Sequence, residues 1–226
     1  MLRITNSRAS SALQVPNAHR IGVMDDMHLT VRSLTGADIT PHLEDVARLR
    51  IGVFHDWPYL YAGDTGYERE YLAAYAASPE SVFVLACDGD RVIGISTGVP
   101  LADAAAPFQA PFRERGIDVA GVFYFGESVL LPGYRGRGIG HAFFDAREAH
   151  ARVLGGYSTT AFCAVDRDHH DPRRPRTYHG NEVFWRKRGY VRQPGMTARL
   201  AWDEIGAGEI EHALTFWTRS LQAVPE

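Results

Sequence analysis

Two stretches of this sequence carry residue types that could do chemistry. The first is Leu130-Leu131-Pro132-Gly133-Tyr134-Arg135-Gly136-Arg137-Gly138-Ile139-Gly140, which joins an apolar strand-like run to an amphipathic helical one. Glycines at 136, 138 and 140 remove side chains where a backbone must come close to a ligand. The free amides that open the helix, with the helix dipole behind them, form an anion site, and Arg135 and Arg137 add positive charge to it. A pyrophosphate suits this chemistry, although a tight strand–helix packing turn would use the same glycines. The segment is not a Walker loop, because no Gly-Lys-Ser/Thr follows. It is also a poor dinucleotide fingerprint: the strand comes late in the chain and no acidic residue closes a following strand.

The second stretch is Phe123-Tyr124-Phe125-Gly126-Glu127-Ser128-Val129-Leu130, an aromatic and apolar run holding one carboxylate. Burying Glu127 unpaired would be costly. An apolar setting raises a carboxyl pKa toward the range useful for proton transfer, while pairing to an arginine would make it purely structural. Gly126 opens space beside it, as a channel or as a bulge. Trp57-Pro58-Tyr59-Leu60-Tyr61 reads as core aromatics or as an aromatic wall for a cation, with Asp56 or Asp64 nearby. A polar stretch holds Asp166, Asp168, His169, His170, Asp171 and His179. It has no helical His pair and no His-Glu-x-x-His, so it reads as a solvated loop and no metal is expected. Cys163 reads as a small buried hydrophobe rather than an acyl carrier, and His150 as a satisfied core residue.

These groups need elements to position them, and periodicity predicts a set. Leu29, Val31 and Leu34 mark a strand. Thr40 and Pro41 open a helix whose apolar stripe is Leu43, Val46, Leu49 and Val53. Tyr67, Tyr71, Leu72 and Tyr75 mark a second helix. Ser81–Cys87 and Arg91–Val99 flank the turn Asp88-Gly89-Asp90 as a hairpin, and residues 100–121 form a loop with some helix. Then come a strand Val122–Leu130, a helix Gly138–Leu154, a strand Thr159–Val165, a helix ending at Arg188, and a closing antiparallel hairpin of Met196–Trp202 with Leu214–Leu221. On the 138–154 helix, Ile139, Phe143, Ala146, His150 and Val153 form the apolar face, and Glu148 pairs outward with Arg152. The strand–helix–strand unit argues for a parallel pair inside a mixed α/β sheet.

Composition bounds the rest. With 226 residues, 45% apolar and 23% charged, the chain fits one soluble domain, placed at 27–226. Residues 1–26 carry Arg and Ser without an acid before Asp25, like an organelle transit peptide, but lack amphipathic periodicity. They read as a loosely ordered extension or an over-called start, and the protein as cytoplasmic. A net charge of −3 gives no pull toward nucleic acid or acidic membranes, and no apolar run is long enough to span a bilayer. Two cysteines make neither a disulfide framework nor a zinc ribbon. Of the 24 basic residues only Lys187 is a lysine; arginine forks suit phosphate, and codon bias in a GC-rich genome gives the same usage.

Arg135-Gly136-Arg137-Gly138-Ile139-Gly140 resembles the Arg/Gln-x-x-Gly-x-Gly/Ala motif of the GNAT N-acetyltransferase superfamily. Further along, Asn181 followed by Phe184-Trp185-Arg186-Lys187-Arg188-Gly189-Tyr190 is similar to that family's second motif. The resemblance covers nearly all of the chain outside residues 1–26. It implies a mixed, mostly antiparallel sheet with a splayed central parallel strand pair and helices on both faces. It implies acetyl-CoA as co-substrate, its pyrophosphate on the amides from Arg135 to Gly140 and its pantetheine between the splayed strands. Cofactor contacts would fall at Leu130, Leu131, Arg135, Gly136, Arg137, Gly138, Ile139, Gly140, His141, Asn181 and Trp185.

The implied activity is direct transfer of an acetyl group to an amine of a small molecule or peptide. An amine with a pKa of about 10.4 is protonated at neutral pH, so a general base matters. Glu127 matches the position where many relatives carry a catalytic carboxylate. Relatives often place an acidic Tyr where this chain has Trp185, and an indole gives up no proton usefully; Tyr178 or a water is the substitute candidate, and the acid is left open. The rival readings are a non-catalytic acyl-CoA sensor of the same fold and a metal-dependent hydrolase. The closing hairpin's exposed strands could pair in a homodimer.

Overall fold

The computed structural model of the chain describes residues 28–221, so the extension expected at 1–26 lies outside the described residues. Seven strands form one sheet: β1 (Leu29–Thr35), β2 (Val82–Asp88), β3 (Arg91–Pro100), β4 (Val122–Leu130), β5 (Thr159–Val165), β6 (Val191–Glu204) and β7 (Gly208–Ser220). Their spatial order is β1-β2-β3-β4-β5-β7-β6. Every neighbouring pair is antiparallel except β4 with β5. Helices α1 (Leu43–Phe54), α2 (Thr65–Ala77) and α3 (Ala106–Glu114) pack on one face; α4 (Ile139–Leu154) and α5 (Glu182–Lys187) pack on the other. Among the described residues no helix is long and apolar enough to cross a membrane.

The parallel pair is short, and that shapes the molecule. β4 and β5 are bonded only from Val122 opposite Thr159 to Tyr124 opposite Ala161. Beyond that point β4 continues on β3 alone, and β5 continues on β7. The two central strands therefore splay, as the resemblance implies, and beyond Tyr124 and Ala161 their inner edges are not bonded to each other.

A second irregularity sits on the same strand. Ser96 pairs with Ser128, but Gly98 pairs with Phe125, so Gly126 and Glu127 together oppose Thr97. This is a β-bulge, and it reverses the alternation of side chains. Phe123 and Phe125 pack in the cluster under α4, whereas Val122, Tyr124 and, past the bulge, Val129 pack in the cluster under α1, α2 and α3. Unbroken alternation would have placed residue 127 on the α4 face with Phe125. The bulge turns it to the other face. Only glycine fits at 126, because a Cβ there would come within 2.6 Å of both Thr97 Oγ1 and Tyr75 Oη.

Several expectations need correcting. Thr40 does not cap α1; residues Gly36–His42 form a 3₁₀ turn, Thr40 Oγ1 donates to Ala37 O, and α1 starts at Leu43. Glu148 does pair with Arg152, at 3.6 Å, but it is buried rather than outward and accepts more closely from Arg219, at 2.8 and 2.9 Å. The helix thus has a wider buried face than its aliphatic residues suggest. Val153 is 64% exposed rather than on that face. His150 is half-buried, its Nε2 bonded to Glu80 O at 2.9 Å. In the closing hairpin only β6 is a sheet edge, since β7 lies between β5 and β6. The far end of β6 is already covered, because Tyr61 bridges to Glu204 and Ala62 N donates to Asp203 O.

Candidate active site

The glycine-rich turn opens α4. Gly136 and Gly138 have φ of +80° and +81°, a left-handed conformation that side chains disfavour. An added Cβ at either would meet nothing within 4 Å, so these glycines serve the turn's shape and its approachability rather than packing. Gly138 is the N-cap, no side chain caps the helix, and its first turn holds no acid. A 16-residue helix thus presents its first amides and the positive end of its dipole to the outside. Ile139 is buried and anchors the turn, while Arg135 and Arg137 are exposed beside it. Arg137 lies over the Tyr134 ring, whose hydroxyl donates to Asp88 Oδ2 at 2.7 Å. Of the two residues before the turn, Leu131 already donates its amide to Ile93 O at 3.0 Å.

Glu127 faces a different set of neighbours from those its strand suggests. It is buried, but its surroundings are not apolar. Arg50 of α1 approaches Glu127 Oε1 at 2.8 Å and is shared with Glu68 of α2. Tyr71 of α2 donates to Glu127 Oε2 at 2.9 Å. The contact from Arg50 is close but out of line for a hydrogen bond, leaving Oε1 without an aligned donor among the described residues. Burial pulls the Arg50 guanidinium down, and Glu127, Tyr71 and Glu68 together more than offset this and raise it. Of the two settings weighed from the sequence, the arginine partner is present and the apolar surroundings are not.

Tyrosines crowd that carboxylate. Burial raises Tyr59, and the groups whose charges it also feels are Cys163, Tyr178, Arg50 and Glu127. Tyr178 meets Trp57 edge-on with ring centres 6.2 Å apart, and burial raises it too. Arg174 lies over its ring at 5.8 Å. Tyr124, at the apex of the splay, hydrogen-bonds with Cys163 Sγ at 3.3 Å, and burial pushes that thiol up to about 12. A thiol held protonated is a poor nucleophile.

The second-motif residues lie elsewhere. Trp185 packs edge-on against Phe162 and Trp217, at 5.0 and 5.1 Å, in the cluster under α4. That is the opposite face of the sheet from Glu127. Asn181 caps α5 through its backbone oxygen, which accepts from Trp185 N at 2.9 Å, and His141 Nδ1 lies 3.2 Å from Arg188 Nη1. In the polar loop, Asp171 accepts from Arg173 and Asp166 from Arg192. No group of three potential ligands converges on a metal position among the described residues.

The model of the Acetyltransferase (GNAT) family matches residues 51–174, which include the aromatic segment, the bulge, the turn and both splayed strands. The chain belongs to the GNAT acetyltransferase family. No curated protein sequence matches it. Solved structures similar to it include an aminoglycoside 6'-N-acetyltransferase complexed with coenzyme A, with a TM-score of 0.52 and 16% identity over 86% of this chain and 99% of that one. An N-acetyltransferase from Staphylococcus aureus has a TM-score of 0.52 and 14% identity over 86% and 99% of the two chains. A Salmonella typhimurium protein with its cofactor acetyl-CoA has a TM-score of 0.51 and 14% identity over 88% and 98%. At these identities the likeness is one of fold, and it agrees with the GNAT sheet described above.

Within this GNAT fold one cluster holds the aromatic segment in place, and sequence reasoning missed it. Glu204 of β6 is buried among Arg167, Arg173 and His212. Arg167 reaches from Glu204 to the aromatic segment, donating to Pro58 O and to Tyr59 O at 2.6 and 2.9 Å. Trp202 Nε1 donates to the same Tyr59 O at 3.0 Å and stacks on His212. Arg50 and Tyr71 were also missed. The available signal was a charged residue inside the α1 apolar stripe, one position after Leu49, which a helix buries only when a partner waits for it.

Proposed function

We propose that the protein is an acetyl-CoA-dependent N-acetyltransferase that passes the acetyl group directly to an amine, with Glu127 as general base. The observation that carries the proposal is the bulge, which turns the buried Glu127 carboxylate to the α1 and α2 face of a strand that splays from β5 and leads into a helix with no side-chain cap. The residues present fit coenzyme A. The first-turn amides of α4, with Arg135 and Arg137, suit a pyrophosphate, and the open space over Gly136 and Gly138 lets it approach. The unpaired inner edges of β4 and β5 suit the amides of pantetheine. Bound there, acetyl-CoA supplies a thioester whose carbonyl accepts a nucleophile.

The chain's own groups do the rest. The amine arrives as an ammonium ion, which the faces of Trp57 and Tyr59 and the charge of Glu127 attract. Glu127 Oε1 takes its proton, directly or through one water, while Arg50 and Tyr71 keep the carboxylate from rotating. The Leu130 amide, at the end of β4, donates to the developing oxyanion. Tyr178, held above the ordinary phenol range, keeps its proton and donates a hydrogen bond to the leaving sulfur, which leaves as the thiol by taking the second proton that the attacking nitrogen sheds as the amide forms. The acceptor is a small molecule or peptide whose amine enters past the aromatic segment.

Calorimetric titration with acetyl-CoA and with free coenzyme A tests the binding half of this reading. Wild-type protein binds both, and Arg137→Glu binds each about 10–100-fold more weakly, the loss expected for a charge-assisted phosphate contact. Equal affinity in the variant would remove the phosphate role from the turn.

A further inference from the structure

The bulge that turns Glu127 toward α1 is held from the opposite face of the sheet. A bulge breaks the strand ladder, and the carbonyls beside it need other partners. One side chain meets that need. Arg147 of α4 is 1% exposed, and its Nη1 donates to Thr97 O at 3.2 Å and to Glu127 O at 3.1 Å, one carbonyl from each side of the bulge. Its Nη2 donates to Ser128 Oγ at 2.9 Å and its Nε to Phe143 O at 3.1 Å. The guanidinium lies over the rings of Phe125 and Phe144, at 4.1 and 4.8 Å.

This is an expensive way to fill a core. All of its hydrogen bonds among the described residues go to neutral oxygens, so no carboxylate in direct contact offsets its desolvation. Burial lowers it to about 10, which still leaves it cationic at neutral pH. One helical turn to either side, the same face of α4 carries Phe143 and Ala151, and a leucine or methionine at 147 would pack there without that cost. What an apolar side chain could not do is hold three backbone and side-chain oxygens of β3 and β4 in the bulged register.

We infer that Arg147 is a positioning residue for acetyl transfer: by bonding Thr97 O, Glu127 O and Ser128 Oγ it fixes the bulge, and so fixes the face of the sheet from which Glu127 acts. The inference rests on the reading of Glu127 as the base. It separates Arg147 from the phosphate turn at the start of the same helix. Losing Arg147 should cost turnover and spare coenzyme A.

The test compares Arg147→Met, Arg147→Lys, Glu127→Gln and the double variant Arg147→Met/Glu127→Gln. Thiol release from acetyl-CoA is measured with tyramine, spermidine and kanamycin A as acceptor probes, coenzyme A affinity by calorimetry, and the two Arg147 variants are crystallised. Arg147→Met should lower kcat about 100-fold, approaching the loss of the base itself, with coenzyme A affinity within about twofold of wild type. Arg147→Lys, which keeps a cation able to reach the carbonyls, should recover part of kcat and stands in if the methionine variant does not fold. The double variant should be no slower than Glu127→Gln, because both changes remove one function. Wild-type kcat in the Arg147 variants, or a double variant that is slower by the product of the two losses, overturns the inference. If Glu127→Gln turns over normally, or none of the probes is acetylated, it is the base reading that lacks support. The crystal structures then decide on Arg147: a Glu127 carboxylate moved off Arg50 sustains its positioning role, and one left in place ends it.

Discussion

Glu127→Gln should leave coenzyme A affinity within about twofold of wild type and slow amine-dependent thiol release by about 10²–10⁴-fold, the usual contribution of a positioned base. Glutamine keeps the shape of the side chain and can still accept from Tyr71, but it takes no proton from an ammonium ion. Arg50 retains Glu68 as a partner, so the buried cation is not abandoned and the fold survives. The loss should fall on kcat, because the binding turn lies beyond the end of β4. A rate within about threefold of wild type would make Glu127 the structural partner of Arg50 and nothing more.

The second large effect is on stability. Glu204→Leu removes the carboxylate that Arg167, Arg173 and His212 share, and breaking a buried pair from one side costs about 3–5 kcal/mol. The loss should sit near the lower figure, about 3 kcal/mol, because Arg173 is 43% exposed and water can take over part of its charge. Urea unfolding reads this directly. The KM for the amine should rise as well, since Arg167 would lose its anchor while holding the carbonyls of Pro58 and Tyr59. The same cluster predicts an acid sensitivity. Burial, followed by Arg167, lowers His212 below its ordinary 6.5. As pH falls through that value the unfolded chain takes the proton first, so stability present above it is lost on acidification. Burial raises Glu204, but Arg167 and Arg173 more than offset this and lower it, and a lowered carboxyl adds a loss of the same sign at still lower pH. A melting temperature that stays flat from pH 7.5 to about 5.5 would contradict this reading.

The sequence was most legible where one residue type had one physical use. The glycines at 136 and 138 announce a turn kept clear of side chains, the strand–helix–strand unit announces a parallel pair, and both are present. Gly126 announces either a channel or a bulge, and the bulge is what exists. Partners distant in the chain were not legible. Arg50 and Glu127 are 77 positions apart in the sequence, and local periodicity says nothing about which carboxylate a buried arginine meets. Glu148 and Arg152 have the spacing of an exposed helical pair, yet Arg219 of β7 draws Glu148 inward. The face of Trp185 likewise depends on Phe162 and Trp217, which only the folded sheet brings beneath it.

The most direct measurement is thiol release from acetyl-CoA by the wild-type protein, with and without an amine panel of tyramine, spermidine, kanamycin A and a lysine-containing peptide, with mass spectrometry of the amines afterwards. An N-acetyltransferase releases thiol at a rate that depends on at least one amine, that amine gains one acetyl group, and both signals vanish in Glu127→Gln. Tight binding of acetyl-CoA with no amine-dependent release across a broad panel would contradict the assignment and favour a sensor that holds acyl-CoA without turning it over.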